Sequence, residues 1–559
     1  MYEQQIPQNA IAIMKRLEEA GYEAYLVGGC VRDLLLGRVP HDFDITTDAL
    51  PDEVEALFDG VERGDARWHT VPIGKEHGTI GVIASSQIFE VTTYRIDGTY
   101  SDNRHPDQVT FTRRLEDDLQ RRDFTVNALA MDREGAVADF VGGRADLASE
   151  VLRAVGSPAE RFDEDALRIL RGVRFAAQLS GTDGAPSAAA PSDCPSAEAP
   201  SDCLSAAAPS DCPSAAAPSD CPSVAKPFHF RIEPATAAAI HERKHLLHNI
   251  AAERIRAELD KILMAPGAVT VLREYRDVFA EFIPELAQGF DFDQRNPYHC
   301  YDVYEHTLHA VEAVPRVILP SQPAAAANNN TITVAGRSAT AQPLVVASND
   351  VAAADNDITT STERVPASDN DRAYLTVRLA ALLHDVGKPA CFIVKRDRGH
   401  FYGHERVSAD MAAEILRRLR YDNQTRSDVV ALIRAHGTVF QLDERYVRHK
   451  LNQFGEERLR MLIALERADV SAQAEEIRAE RIEAIDRFAG IVDKVLAEAQ
   501  CFSLRDLAVD GRDLIALGVP AGPAVGDILS VLLENVIDGK IENDRSALLA
   551  FATQLLNEK

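Results

Sequence analysis

The stretch "VPHDFDITT" sets Asp42 and Asp44 on either side of Phe43, in a segment that reads as a β-strand. Side chains alternate along a strand, so both carboxylates are expected to point the same way while Phe43 packs behind. Such a pair suits a hard divalent cation, because Mg²⁺ takes one or two carboxylates together with phosphate oxygens. Two cations held there can activate an attacking hydroxyl and stabilise a leaving pyrophosphate. Alone the pattern is weak, since most such pairs are solvated strand ends or turns.

Its surroundings add to it. Upstream, "YLVGGCVRDLLLG" reads as strand, diglycine turn and helix. Gly28 and Gly29 allow close approach of a phosphate to the backbone, and Arg32 in the first helical turn can grip it. Further along, "EDALR" spaces Asp165 and Arg168 three apart, which on a helix puts them on one face. A carboxylate accepts from an exocyclic amine and a guanidinium donates to ring acceptors. Cytosine and adenine offer that pattern; uracil and guanine oppose it, at about 1–3 kcal/mol per unpaired buried group. An ordinary surface ion pair is the plain alternative. Arg171 and Arg174 extend the face, to position a base or to make flanking ion pairs.

The elements that must hold these residues fall into two styles. Up to about residue 155, "EAYLVG", "FDITT", "TIGVIA", "IFEVTTY", "TVNALAMD" and "AVADFVG" are short, β-branched or aromatic, and bounded by turns. From "RFDEDALRILRGVRFAAQL" onward, apolar residues recur at helical spacing to the end. The expected fold class is α+β, a small head with a mixed sheet on an elongated helical body. The expected domains are a head over 1–155, a neck and body over 156–296, a third domain over 297–480 and a helical tail over 481–559. Residues 180–226, with four "PSDC" copies, and 317–371 are compositionally unable to form a core and are expected to be surface inserts.

Composition narrows the classes. The chain has 559 residues, enough for several domains, and a net charge of −27. That charge disfavours broad nonspecific nucleic-acid binding and leaves room for a limited basic surface. Its 8 cysteines include no CxxC pair, so a structural zinc site is not expected. There is neither a signal segment nor an apolar run long enough for a bilayer, so the expected location is the cytoplasm.

"LVGGCVRDLLLGRVPHDFDITTDALPDEV", "GKEHGTIGV", "EVTTYRIDGTYSDNRHPDQVTF", "RRDFTVNALAMD", "RFDEDALRILRGVRFAAQL" and "ERIRAELDKIL" together resemble the class II tRNA nucleotidyltransferase and bacterial poly(A) polymerase family. The resemblance implies Mg²⁺-dependent addition of nucleotides to RNA ends, with CTP, ATP and the tRNA 3′ end as partners and no DNA or membrane. It implies Asp42 and Asp44 as catalytic metal ligands, with Arg122, Asp123 and Asn127 near sugar and phosphates. It marks Asp165 and Arg168 as the base-reading pair. The resemblance points to CCA addition to tRNA 3′ ends, with poly(A) synthesis as the alternative, and Glu90, on a later strand, stays outside the expected set.

A second constellation follows residue 297: "YHCYDVYEHTLHAV", "LAALLHDVGKPA", "GHFYGHERVS", "LIRAHGTVF" and "ERADVSAQ". Imidazole and carboxylate together suit a transition metal. These motifs resemble the HD metal-dependent phosphohydrolase domain. The resemblance implies His306, His384, Asp385 and Asp469 as ligands, with His404 and His436 as the extra histidines of two-metal members. A phosphohydrolase whose head only senses nucleotides is the corresponding alternative, and the tail resembles an RNA-contacting segment.

Overall fold

A computed structural model of the chain describes residues 5–40, 42–63, 66–84, 87–98, 108–181, 228–320 and 368–557. Nearly all of the first expected insert and residues 321–367 of the second lie outside the described residues. The second insert ends earlier than expected: the helix Asp369–Leu383 starts within it, capped by Ser368, whose hydroxyl accepts from the Asp371 N–H at 3.1 Å.

The alternating segments of the first 140 residues assemble into one seven-stranded mixed sheet. Its strands are β1 (Ala24–Val27), β2 (Asp44–Thr47), β3 (His69–Gly74), β4 (Thr79–Ala84), β5 (Gln87–Thr93), β6 (Leu129–Met131) and β7 (Val137–Asp139). They lie in the order β7-β6-β1-β2-β5-β4-β3, with β2 and β5 parallel and the other neighbours antiparallel. All six expected strand segments contribute. The unexpected one, β3, contains Pro72 and sits at the sheet edge, with a register shift between Val71 and Gly74; proline is tolerated there because its missing N–H faces no partner. One sheet face buries Leu26, Ile45, Ile80, Val82 and Val91 beneath the helices Gln8–Glu19 and Pro51–Phe58. Val27, Tyr94, Leu115, Leu119 and Ala130 pack in a smaller cluster. Val27 is the cross-strand neighbour of Asp44, so this smaller cluster underlies the carboxylate face.

From Phe124 to Val495 one continuous apolar cluster joins neck and body. The helix Leu167–Leu179 packs on Ala252–Met264 within it, so the expected boundary at 296 divides a shared core. The expected boundary at 480 is corrected too, because it falls inside the helix Glu475–Ala497, whose sequence carries no proline and no capping stop. The tail has its own core around Leu507, Leu514, Leu532 and Leu548. Among the described residues no helix is long and apolar enough to cross a membrane.

Asp260 on the neck helix accepts the Tyr421 hydroxyl at 2.5 Å, tying neck to body. Burial pushes the Asp260 carboxyl up to about 6, against the opposing effect of the Tyr421 bond. With the folded pKa above the unfolded one, the folded state holds the extra proton. Stability is therefore full below about pH 4 and falls as pH rises through 6. Asp260→Asn keeps an acceptor for Tyr421 and removes the titration. The thermal midpoint, scanned from pH 5 to 7, is expected to fall less in the variant, by about 2–4 °C for each kcal/mol recovered.

Candidate functional site

The head site forms where β1 ends and β2 begins. Gly28 adopts φ +82°, a left-handed conformation that glycine takes without strain, and a Cβ there would approach Arg122 Nη1 at 3.4 Å. Asp44 starts β2 and is half-buried, whereas Asp42 is exposed and precedes the strand. The expectation that both lie in the strand is corrected. Pro40 supplies no N–H, so regular pairing starts only after the buried Phe43. The parallel register that sets Ile45 beside Val91 brings Glu90 alongside Asp44, and Glu90 Oε1 is buried with no hydrogen-bond partner. An orphaned carboxylate oxygen next to Asp44, in an all-oxygen set, fits a hard cation such as Mg²⁺. Sequence reasoning left Glu90 out; its signal was the strand parity of "IFEVTTY", which puts Glu90 and Thr92 on one face.

Arginines are fixed around this corner by buried acids. Asp118, fully buried on the helix Leu115–Gln120, binds Arg121 at 2.7 Å and Arg122 at 3.2 Å. Arg32 donates to Asn127 Oδ1 at 2.8 Å and to Asp33, so two expected nucleotide-binding residues are joined. Asp123 meets Arg171 at 2.7 Å, linking head to neck helix. Burial would raise the Asp123 carboxyl, but the Arg171 charge and hydrogen bonds, with Arg168 and the Phe124 N–H, outweigh it and bring the pKa to about 2.

The expected base-reading pair is corrected in geometry. Asp165 is the residue after the helix Pro158–Glu164, with φ −134° and ψ 104°, and the next helix begins at Leu167. The two residues therefore do not share a helix face. Instead Asp165 accepts from the Leu167 N–H at 3.0 Å and from Arg254 at 3.4 Å. Arg168 is held by Glu164 at 2.5 Å and by the Arg121 carbonyl at 3.3 Å. Arg174 is buried against Glu258 at 2.8 Å and lies over the Phe175 ring, deep in the neck packing.

All six residues of the second constellation converge, although His306 and His384 are separated by the insert. His306, His384 and Asp469 form one group, and Asp385, His404 and His436 another, each with ligand atoms within 4.8 Å. Every histidine Nδ1 faces a backbone carbonyl: His306 to Ala472, His384 to Ala381, His404 to Phe401 and His436 to Ile433. With Nδ1–H donating to the carbonyl, Nε2 of each ring turns toward the cluster, the edge that ligates metal. Asp385 spans the groups, with Oδ2 3.1 Å from His384 and Oδ1 3.4 Å from His404. Yet His384 Nε2 and both Asp385 oxygens lack a hydrogen-bond-aligned partner despite burial. His306 Nε2 lies 2.9 Å from Asp469 Oδ1 and His404 Nε2 lies 3.2 Å from His436 Nε2, so the donor atoms crowd two shared centres, which fits a pair of cations. Lys388 contacts Asp385 Oδ2 at 2.7 Å.

Comparison with known proteins follows this geometry. Residues 24–153 match the Poly A polymerase head domain, 229–289 the "Probable RNA and SrmB- binding site of polymerase A", and 404–552 "tRNA nucleotidyltransferase domain 2". A CCA-adding enzyme of Limosilactobacillus reuteri is 40% identical over 263 residues, 47% of this chain and 51% of the relative. One of Streptococcus pyogenes is 42% identical over 259 residues, 46% and 50% respectively. The chain thus spans about half the length of the curated relatives it matches. A crystal structure of the Bacillus stearothermophilus CCA-adding enzyme in complex with CTP aligns with 99% of this chain and 98% of its own, at 26% identity and TM-score 0.58. The fold is the nucleotidyltransferase α+β fold, as expected.

Asp118→Ala is expected to leave Arg122 without its buried counter-charge and Arg121 with Asp97 alone, at roughly 3 kcal/mol. A lower thermal midpoint, reported by Trp68 fluorescence in the head, is the measurement; Asp118→Glu should restore part of it.

Proposed function

We propose that this chain, which carries a Poly A polymerase head domain over residues 24–153, adds CCA to tRNA 3′ ends from CTP and ATP. The observation that carries the reading is the Gly28–Gly29 bend at the end of β1, with Asp44 opening β2 and the buried Glu90 Oε1, which has no hydrogen-bond partner, on the neighbouring strand β5. Mg²⁺ bound there supplies charge for the triphosphate and lowers the pKa of the attacking 3′-hydroxyl. Asp42, Asp44 and Glu90 hold the cations. The diglycine bend admits the triphosphate close to the backbone, with Arg32 and Arg122 neutralising its oxygens. Asn127, oriented by Arg32, and Asp123, oriented by Arg171, lie one turn of chain away and engage the sugar.

Base choice rests on Asp165 and Arg168. In the state described here both are occupied, Asp165 by Arg254 and Arg168 by Glu164. An incoming base exchanges these contacts for its own edge. Cytosine and adenine satisfy the released carboxylate and guanidinium, whereas uracil and guanine leave both unpaired, so rejection follows from the site's own groups.

The body cluster supports a second part of the proposal. Residues His306, His384, Asp385, His404, His436 and Asp469 are read as holding two divalent transition-metal ions in an HD-type site, with accessory phosphohydrolase chemistry. The shared orientation of the four imidazoles favours it.

With tRNA lacking CCA as primer, CTP and ATP are expected to be incorporated and UTP and GTP refused. Asp44→Ala should lower incorporation at least about a hundredfold, and His384→Ala should leave it near wild type. Long A tracts on generic RNA would instead identify a poly(A) polymerase, and loss of the main activity with His384→Ala alone would identify a phosphohydrolase with a sensing head.

A further inference from the structure

The loop that leads into Asp42 and Asp44 is fastened to the neck. The helix Gly29–Leu35 closes with Gly37 at φ +73°, whose N–H donates to the Leu34 carbonyl at 3.1 Å. The Arg38 N–H donates to the Asp33 carbonyl at 2.8 Å. This is a Schellman closure, with glycine in the left-handed position, and it fixes the backbone from which the Arg38 side chain leaves the head. The half-buried Arg38 guanidinium donates to the carbonyls of Gln178 at 3.4 Å and Leu179 at 3.2 Å. These are the last two carbonyls of the helix Leu167–Leu179, where a helix has no N–H of its own left to offer. The preceding carbonyl, of Ala177, accepts from the Gly267 N–H at 3.0 Å. Ser180 is extended, so the chain leaves the helix without a further turn to cover its end. Arg38 also lies over the Phe228 ring, 5.3 Å from its centroid, and Phe228 is bridged to Gly181 by bonds of 2.8 and 3.3 Å. A cation there meets the negative end of the helix dipole as well.

Both partners in this contact carry groups of the proposed reaction. Arg38 stands in the chain between Arg32 and the pair Asp42 and Asp44, and the helix it caps carries Arg168 and Arg171. The head grips that helix at two further places. Near its start Arg168 donates to the Arg121 carbonyl at 3.3 Å, and at its middle Arg171 meets Asp123 at 2.7 Å while Arg32 lies over the Phe175 ring at 5.5 Å. Leu35 and Leu36 add apolar contact with the neck core. Under the proposed function the first two grips use side chains that a nucleotide engages, so they change partners when it binds. The third uses backbone carbonyls and a ring, which stay whatever base is read.

Resting on the proposed nucleotide addition, we propose that Arg38 is a positioning residue that registers the base-reading helix against the metal-bearing loop. The base is read from the neck and the triphosphate is held by the head. The α-phosphate therefore meets the attacking hydroxyl only while the two parts keep one spacing, and a misplacement of about 1 Å costs up to about a hundredfold in rate. Arg38 is spent on the neck helix, so its loss acts on turnover and leaves nucleotide affinity in place.

The test uses the full chain with tRNA lacking CCA and follows CTP incorporation over a Mg²⁺ titration. Arg38→Ala is expected to lower kcat about tenfold, close to 1.4 kcal/mol, with the KM for CTP changed by less than about twofold. Arg38→Lys, which keeps the charge and a donor, should recover most of the loss. Phe228→Leu should give a smaller fall of the same kind, and adding it to Arg38→Ala should lower kcat no further, because the two side chains form one contact. The thermal midpoint by Trp68 fluorescence sets the folded fraction of each variant, and kcat is taken on that fraction. Unchanged kcat in Arg38→Ala, a change confined to KM, or independent effects of the two substitutions overturns the positioning role. Full recovery of kcat at higher Mg²⁺ overturns it too, by confining the effect to the metal loop. Absence of CTP incorporation by the unsubstituted protein overturns the nucleotide-addition reading, and the role of Arg38 with it.

Discussion

Like charges brought together by a fold must be balanced, and in this chain that constraint shapes both sites. Adjacent strands run about 4.8 Å apart, so carboxylates at matching register, as Asp44 and Glu90 are, repel by about 3 kcal/mol at an effective dielectric of 20. A strand and sheet geometry imposes that neighbourhood irrespective of function. The same head spends Asp118 on Arg121 and Arg122, and Asp123 on Arg171. The carboxylates of Asp118 and Asp123 are thereby satisfied, while Glu90 keeps a buried oxygen for which the protein supplies no hydrogen-bond partner. Under the proposed function, a cation held there would resolve the imbalance.

The body solves a different problem, how to turn four imidazoles the same way round. Four backbone carbonyls accept from the four Nδ1–H groups, and the helix ends present them. Ala381, Ile433 and Phe401 each lie three residues before the histidine they orient. This is a local device, available wherever a helix or turn closes, and it explains why His384 and His436 both stand at helix C-termini. Carboxylate oxygens in the head and imidazole nitrogens in the body are donor sets of different metal preference within one chain.

Much of this was legible from residue order alone. Short β-branched or aromatic runs bounded by turn residues marked six of the seven strands of the head sheet. The edge strand His69–Gly74 escaped because its pattern is broken by Pro72, which only an edge tolerates. The helix break at Asp165 escaped for the reverse reason: "RFDEDALRIL" contains good helix formers throughout. What interrupts it is tertiary, the Arg254 contact and the Asp165 cap on Leu167. The convergence of His306 with His384 was legible as order of motifs, but its distances depend on a core shared between segments that sequence divides at 296.

The neck arginines bear on how an acidic protein handles RNA. Arg168, Arg171, Arg174 and Arg254 are each engaged by a carboxylate within the chain: Glu164, Asp123, Glu258 and Asp165. Paired in this way they present little net field, which suits a chain of charge −27 that must avoid indiscriminate phosphate contacts. Their contacts differ in strength by geometry. Arg174 and Glu258 are both buried at 2.8 Å and anchor the neck, whereas Arg254 reaches Asp165 only at 3.4 Å through a single nitrogen. The weakest pair is the one on the proposed base-reading carboxylate. Under the proposed function, a nucleotide that offers an amine to Asp165 would displace the longest of these contacts and leave the arginines that hold the neck in place.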